Sequence, residues 1–431
     1  MYILLVFSKI FAKLIRLFKL GGGTALPGLF IEKYFPSSLR SLTKNYKKIV
    51  LITGTNGKTT TQKLLRHLLE QKGYTVTSNT SGANLIRGIA ISIISDTNIF
   101  GRVKKDIAVF EVEEATMPMV TKYISADYII VTNLFRDQLD AYGEIVKTRS
   151  YILEAIKSQP KAKVSLLHDD DNVSSIADEI PNDVKFFTVR DKRTKSIFYE
   201  RSYFKTKFSS SDKPIVADNI RTHSDLSTTF DIKIQETVFN DIRFSSPGVH
   251  YVFNAVAAIG VATDLSRFSN QDVRIAFEKF RPAFGRGELV SFNNKSVRIL
   301  LIKNPASFTA NLFMLRQQIN VKLLIVINDN IADGTDVSWL WDAKLEVLQK
   351  AKVSWITVSG TRAYDMFLRL KYASFGSMNV EVEPNLTKAI DISLQKLNHD
   401  ETLFVLPTYT AMLDVRRKLS KFVKMKEFWK D

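Results

Sequence analysis

Short runs of apolar, β-branched residues alternate along this chain with longer stretches in which apolar positions recur every three or four residues. The first run, 47–52 (KKIVLI), leads into Thr53-Gly54-Thr55-Asn56-Gly57-Lys58-Thr59-Thr60-Thr61, after which Leu64, Leu65, Leu68 and Leu69 form one apolar stripe ending near Gly73. That pattern predicts a strand, a glycine-rich turn and the N-terminus of a helix. Runs at 107–112 (IAVFEV) and 128–131 (YIIV) predict two more strands. After Gly287 the pattern restarts with 297–302 (VRILLI), 322–327 (KLLIVI), 353–358 (VSWITV) and 402–406 (TLFVL), each followed by a polar turn and a helical stretch. Such alternation predicts parallel α/β sheets, and 431 residues suffice for two or three domains at roughly 150 residues each. The expected organisation is a basic segment over 1–45, a nucleotide-binding α/β unit over 46–290 with an insertion at about 187–239, and a second α/β unit over 291–431.

Charge changes the picture at the two ends. The chain carries a net +17, which by itself suggests nucleic acid or an anionic surface. Residues 1–50 hold nine basic side chains against the single Glu32, and 415–431 hold seven against Glu427 and Asp431. The middle is close to neutral, which argues against a nucleic-acid groove and for a membrane-facing rim. In the opening MYILLVFSKIFAKLIRLFKL, Lys9, Lys13, Arg16 and Lys19 share one helical face. Its charge follows the apolar run and no cleavage site comes after it, so it does not read as a signal peptide. It reads equally as a helix lying at a lipid surface and as one packed on the protein with solvated lysines. No stretch has the apolar length of a spanning helix.

The turn after the first strand carries recognisable chemistry. Gly54 and Gly57 let backbone N–H groups approach phosphate oxygens, a helix N-terminus favours negative charge, Lys58 can reach terminal phosphates and Thr59 can ligate Mg²⁺. The run 107–112 ends beside Glu111, Glu113 and Glu114, any of which could hold Mg²⁺ near that loop; spacing alone does not choose, and Glu114 fits a solvated strand end best. There is no cysteine. Disulfides, thiolate metal sites and a thiol nucleophile are therefore excluded. His168, His223 and His250 are too scattered to build a zinc site and read as surface or packing residues.

GTNGKTT resembles the signature of the Mur ligase family, ATP-dependent enzymes that activate a carboxylate as an acyl phosphate for displacement by an amine. The resemblance implies a Mur ligase-type P-loop ATPase domain followed by a Rossmann-like α/β domain. It implies ATP contacts from Gly54, Thr55, Asn56, Gly57, Lys58, Thr59 and Thr60, and favours Glu111 with Thr59 as the Mg²⁺ ligands. The segment TNLFRDQLDAYGE (132–144) is similar to the family's TN-x-x-x-DHLD-x-H-G, with Gln138 and Tyr142 replacing the histidines. That departure points away from the amino-acid-adding members, towards one divergent branch; Asp137 and Asp140 read equally as caps of the next helix. SSPGVHYVFNAVAAIGVA (245–262) resembles the G-x-H-N-x-x-N-x-x-A-A helix with Tyr251 in place of the first Asn, which implies Asn254 at the adenine. Phe284-Gly285-Arg286 resembles the Gly-Arg linker, which implies Arg286 at a phosphate.

The later turns KNPA, NDNIADGTDVSW and SGTR resemble the branch of this family that amidates a membrane-bound peptidoglycan precursor, lipid II. That resemblance implies conversion of a D-glutamate α-carboxylate to D-isoglutamine at the inner face of the membrane, with ammonia from a GatD-type glutaminase subunit. It also implies that Asp336 orients the partner's catalytic histidine, although Asp336 equally fits an N-cap of the following helix. A glutaminase of this kind needs an activated cysteine; the absence of one here independently places that step on another polypeptide. Many members of the branch carry a four-cysteine zinc ribbon, which the stretch 187–239 lacks, so no zinc is expected and SIFYERSYF and TTFDIKI are read as a small hairpin. The alternatives are an amino-acid-adding ligase, for which the residues before the phosphate loop leave no room for a UDP-binding domain of about 100 residues, and a catalytically inactive nucleotide-binding scaffold.

Overall fold

A computed structural model describes residues 25–79, 83–98, 100–136, 145–194, 202–205, 214–282, 284–375 and 380–423. Residues 1–24 of the opening basic segment, Asp137, Gln138, Asp140, Tyr142 and the SIFYERSYF run up to Arg201 lie outside the described residues. Among those described, two sheets organise the chain. The first comprises β1 (Lys48–Thr53), β2 (Val76–Ser78), β3 (Ile107–Glu111), β4 (Tyr128–Val131), β5 (Lys163–Leu167), β6 (Val184–Val189), β7 (Ile215–Thr222), β8 (Thr228–Ile234) and β9 (Thr237–Phe244). Their order is 2-3-1-4-5-6-7-8-9, parallel through β7 and antiparallel beyond it.

The second sheet comprises β10 (Arg286–Phe292), β11 (Lys295–Leu300), β12 (Val321–Val326), β13 (Val353–Ser359), β14 (Val380–Val382) and β15 (Thr402–Pro407), in the order 10-11-15-12-13-14. Only β10 runs antiparallel to its neighbour. The Gly-Arg linker is thus the first residue of an edge strand that already belongs to the second sheet.

The central strands β3, β4 and β12 are buried at every position, which explains why they read as unbroken apolar runs: helices cover both faces. The helices α1 (Ala25–Tyr34), α2 (Ser38–Thr43), α3 (Lys58–Gln71) and α4 (Ile86–Asp96) follow in chain order around β1 and β2. The predicted stripe of α3, Leu64, Leu65, Leu68 and Leu69, is fully buried. TTFDIKI does not form a separate hairpin. It is β8, paired on both sides with β7 and β9, so the described part of the insertion prolongs the main sheet instead of standing apart. Phe230, Phe239 and Phe244 are buried there, the last edge-on to Phe277 at 5.1 Å. Aromatic packing against the helix Asn270–Lys279 holds this end of the sheet.

Candidate active site

β1 delivers the chain into the phosphate loop and α3 takes it away. Gly57 has φ +94°, and a Cβ there would lie 2.1 Å from Oδ1 of Asn254, so no other residue fits the turn. The loop is pinned from the end of β4. Asn133 Oδ1 accepts from the Asn56 N–H at 2.8 Å, its Nδ2 donates to Asn56 O at 2.9 Å, and Thr132 Oγ1 donates to the same carbonyl at 2.7 Å. Thr55 Oγ1 accepts from the Phe135 N–H at 3.0 Å. Thr132 and Asn133, the opening pair of the segment 132–144, hold the loop.

Lys58 is buried at the head of α3, with Nζ 3.1 Å and 3.2 Å from the Glu114 oxygens and 3.6 Å from Glu113 Oε2. Glu114 is therefore no solvated strand end: the turn after β3 folds back under Lys58 and buries it. Burial pushes the Glu114 carboxyl well above the usual carboxylate range, against the pull of Lys58. At Glu113 burial acts the same way but is outweighed by Lys58, by the hydrogen bond with Glu114 and by Lys303, leaving its carboxyl well below that range. The two neighbouring carboxyls are thus pushed in opposite directions, Glu114 up and Glu113 down. Asn84, just ahead of α4, donates to Glu113 Oε2 at 2.5 Å.

Glu111, the carboxylate favoured above, does not touch Lys58. It lies buried at the end of β3, its backbone clasped by Asn79 through N–H···Oδ1 at 3.0 Å and Nδ2–H···O at 2.9 Å. Its Oε2 is buried without a hydrogen-bond partner.

Lys58, Asn84, Glu111 and Glu113 share a cleft of about 400 Å³ with Thr55, Thr59, Thr60, Asn254, Arg286, Lys303, Asp333 and Tyr409. The cleft thus lies between the two sheets. Arg286 Nη1 is also buried without a hydrogen-bond partner. Its strand is held by Glu288, which takes a bidentate pair from Arg416 at 3.0 Å and 3.1 Å, while the Arg416 guanidinium lies 4.0 Å from the Phe284 ring centroid. Asn254 sits against Gly57 at the loop, one turn after the buried Tyr251 and the partly buried His250 of the helix His250–Leu265.

Two polar turns of the second sheet reach the cleft and one does not. Asn304 caps the helix Pro305–Leu315 by accepting from the Ser307 N–H, and its Nδ2 donates to Asn56 Oδ1 at 3.1 Å, with the reciprocal contact at 3.4 Å. Asp333 accepts from Thr410 N–H at 2.7 Å beside Tyr409. SGTR stays apart, because Thr361 and Arg362 both bind Asp329 at 2.7 Å. Asp336 also lies outside the cleft. It is exposed, accepts from the Ser338 N–H at 2.8 Å and Oγ at 2.9 Å, and those bonds hold its carboxyl below the usual range.

The groups at this cleft fit a magnesium nucleotide. A buried carboxylate oxygen and a buried guanidinium nitrogen, both without partners, line the same space as the glycine turn. Unpaired buried charges of this kind are costly unless a ligand meets them.

Comparison with known proteins agrees with this architecture. Residues 52–262 match the family model of the Mur ligase middle domain and 301–412 that of the MurT ligase C-terminal region. The chain is 32% identical to the lipid II isoglutaminyl synthase (glutamine-hydrolyzing) subunit MurT of Streptococcus pneumoniae, and 30% identical to the subunit of the same name from Staphylococcus aureus (strain COL). Each alignment covers 93% of both chains. The MurF ligase of Thermotoga maritima in complex with ADP shares the fold at a TM-score of 0.66, with 16% identity over 92% of this chain and 84% of that one. Matched over nearly its whole length by these ligase subunits, the chain belongs to the MurT branch of the Mur ligase family.

Proposed function

We propose that the protein is the ligase subunit of a lipid II isoglutaminyl synthase, amidating the D-glutamate α-carboxylate of lipid II to D-isoglutamine. The γ-phosphoryl group of ATP passes to that carboxylate, giving an acyl phosphate and ADP. Ammonia then attacks the carbonyl carbon, the bond to phosphate breaks, and phosphate leaves as the amide forms. The observation that carries this reading is the pair of partnerless buried charged atoms, Glu111 Oε2 and Arg286 Nη1, beside the glycine turn in one cleft.

Within it, Gly54 to Thr60 cradle phosphates through the loop backbone and the start of α3. Asn254 positions the nucleotide base, Lys58 and Arg286 meet phosphate charge, and Thr59 with Glu111 would hold Mg²⁺, which supplies further neutralisation of that charge. The exposed Asp336 orients the catalytic histidine of a GatD-type glutaminase. Exposed aromatic surface on the turn that follows it, Ser338–Trp341, supports a partner there: Trp341 meets Tyr372 edge-on at 5.3 Å, and both are about half or more exposed.

ADP release measured with lipid II and ammonium, separately and together, tests the reading. Release requiring both is expected; release requiring neither, or none at all, favours a scaffold or another acceptor. Lys58→Ala should lower turnover at least about a hundredfold, and retained activity would remove Lys58 from the site.

A further inference from the structure

Arg286 enters the cleft beside an irregularity in its own strand. β10 and β11 pair Arg286 with Leu300 but Glu288 with Ile299, which leaves Gly287 as an extra residue. A bulge of this kind bends the strand and re-aims the side chain next to it. Gly287 holds φ +85°, and a Cβ there would lie 2.4 Å from Cδ of Pro247, just ahead of the helix His250–Leu265. Arg298, on β11, donates from Nη1 to the Gly287 carbonyl at 3.3 Å. From Nη2 it donates at 3.2 Å to the carbonyl of Asp225, in the turn between β7 and β8 of the first sheet. One guanidinium, on a residue only 7% exposed, therefore ties the strand that carries Arg286 to the insertion.

That turn is itself anchored. Residues 223–225 are exposed, yet the next, Leu226, is buried and belongs to the core of the second sheet with Leu300, Phe308, Leu312 and Leu315. No other described residue ahead of β10 enters that buried cluster. Leu226 holds φ +68°, a left-handed backbone that leucine keeps only where its surroundings impose it. Asp225 sets the shape of the turn. Its Oδ1 accepts from the Ser227 N–H at 3.0 Å and Oγ at 2.7 Å, and its Oδ2 accepts from Arg243 at 2.8 Å.

The attachment has two points, an apolar side chain planted in the opposite core and an arginine fork bridging two carbonyls. It stands behind the wall of the cleft that Tyr251 lines. Burial pushes the Tyr251 phenol up to about 12, while Arg286 and then Arg298 pull it down, so both guanidiniums act on this wall. We propose that Arg298 and the turn 223–227 form a clamp that positions Arg286 for the phosphates of a nucleotide; the proposal rests on the reading of this cleft as a nucleotide site. Arg298 and Leu226 are positioning residues, acting through Arg286.

The test is calorimetric titration of the full chain with the magnesium complex of adenylyl imidodiphosphate, alongside ADP release from ATP with lipid II and ammonium. Arg286→Ala should weaken binding of the analogue about tenfold or more. Arg298→Lys keeps the charge but loses the fork, and should weaken it about tenfold. Leu226→Ala should weaken it about threefold. In the Arg286→Ala background both further changes should add nothing, because the group they position is gone. Losses that multiply in the double variants would overturn the proposal, since a merely structural role multiplies. Single variants that bind as tightly as the unaltered chain would also overturn it. If Arg298→Lys does not fold, Leu226→Ala carries the same comparison. If the couplings appear while the unaltered chain releases no ADP, the ligase reading fails and the clamp stands; if the unaltered chain does not bind the analogue, both fall.

Discussion

At Lys58 a single ammonium faces two carboxyls of unequal character. The Glu114 carboxyl is pushed up and the Glu113 carboxyl down, which favours one negative charge against one positive charge in this buried group. Glu114→Gln keeps a neutral donor in place and should change unfolding free energy by no more than about 1 kcal/mol. Glu113→Gln removes the carboxyl that Lys58 holds below the usual range and should destabilise more than Glu114→Gln; denaturant titration of both variants compares them, and equal losses would show that the two carboxyls carry the charge alike. Asp336 poses the opposite case, an exposed carboxyl bound only to its own turn. Asp336→Asn keeps those contacts in part, so amidation fed by free ammonium should persist while glutamine-fed amidation falls at least about tenfold. Equal loss of both activities would reject its role at the partner.

The phosphate loop was legible as an element because its glycines, its lysine and the leucine stripe of α3 are local signals. The turn after β3 was not. Glu111, Glu113 and Glu114 are indistinguishable by spacing, and their fates depend on a chain reversal that puts Glu114 beneath a lysine 56 residues away. The strands β10 and β14 had no clear run either: β10 is half-exposed at the sheet edge and β14 has three residues. At the helix His250–Leu265 the first residue carries a pH dependence. Burial holds the His250 imidazole down to about 4, against 6.5 when free. The unfolded chain therefore binds the extra proton first, so this contribution is full above about pH 6.5 and is lost as pH falls towards about 4, amounting to up to about 3 kcal/mol. His250→Gln should flatten the acid side of the stability profile, and an unchanged slope between about pH 7 and about pH 5 would show that other groups set it.

Across the whole molecule the two sheets meet at an amide pair. Asn304 caps its own helix and donates to Asn56 inside the phosphate loop, so the second sheet registers the position of the loop directly, and Lys303 arrives beside Glu113 by the same contact. Asn304→Ala should cost about 1 kcal/mol through the lost cap. It should also lower turnover more than it raises the KM for ATP, because the nucleotide loop survives while the opposing sheet loses its register. Asn304→Asp, which keeps the cap, should restore stability without restoring turnover. Recovery of both would make the residue a cap alone. No described helix is long and apolar enough to cross a membrane.

By itself the sequence determined the elements whose signals are local: apolar runs buried on both faces, a leucine stripe, a glycine turn that only a positive φ permits, and the absence of any thiol. Tertiary structure alone decided which carboxylates meet Lys58, that Asn133 pins the loop, that the insertion prolongs the main sheet, and that Asn304 reaches across to Asn56. Those contacts join residues dozens to hundreds of positions apart, and nothing in local propensity or periodicity encodes which distant polar groups a packed core will bring within hydrogen-bonding reach.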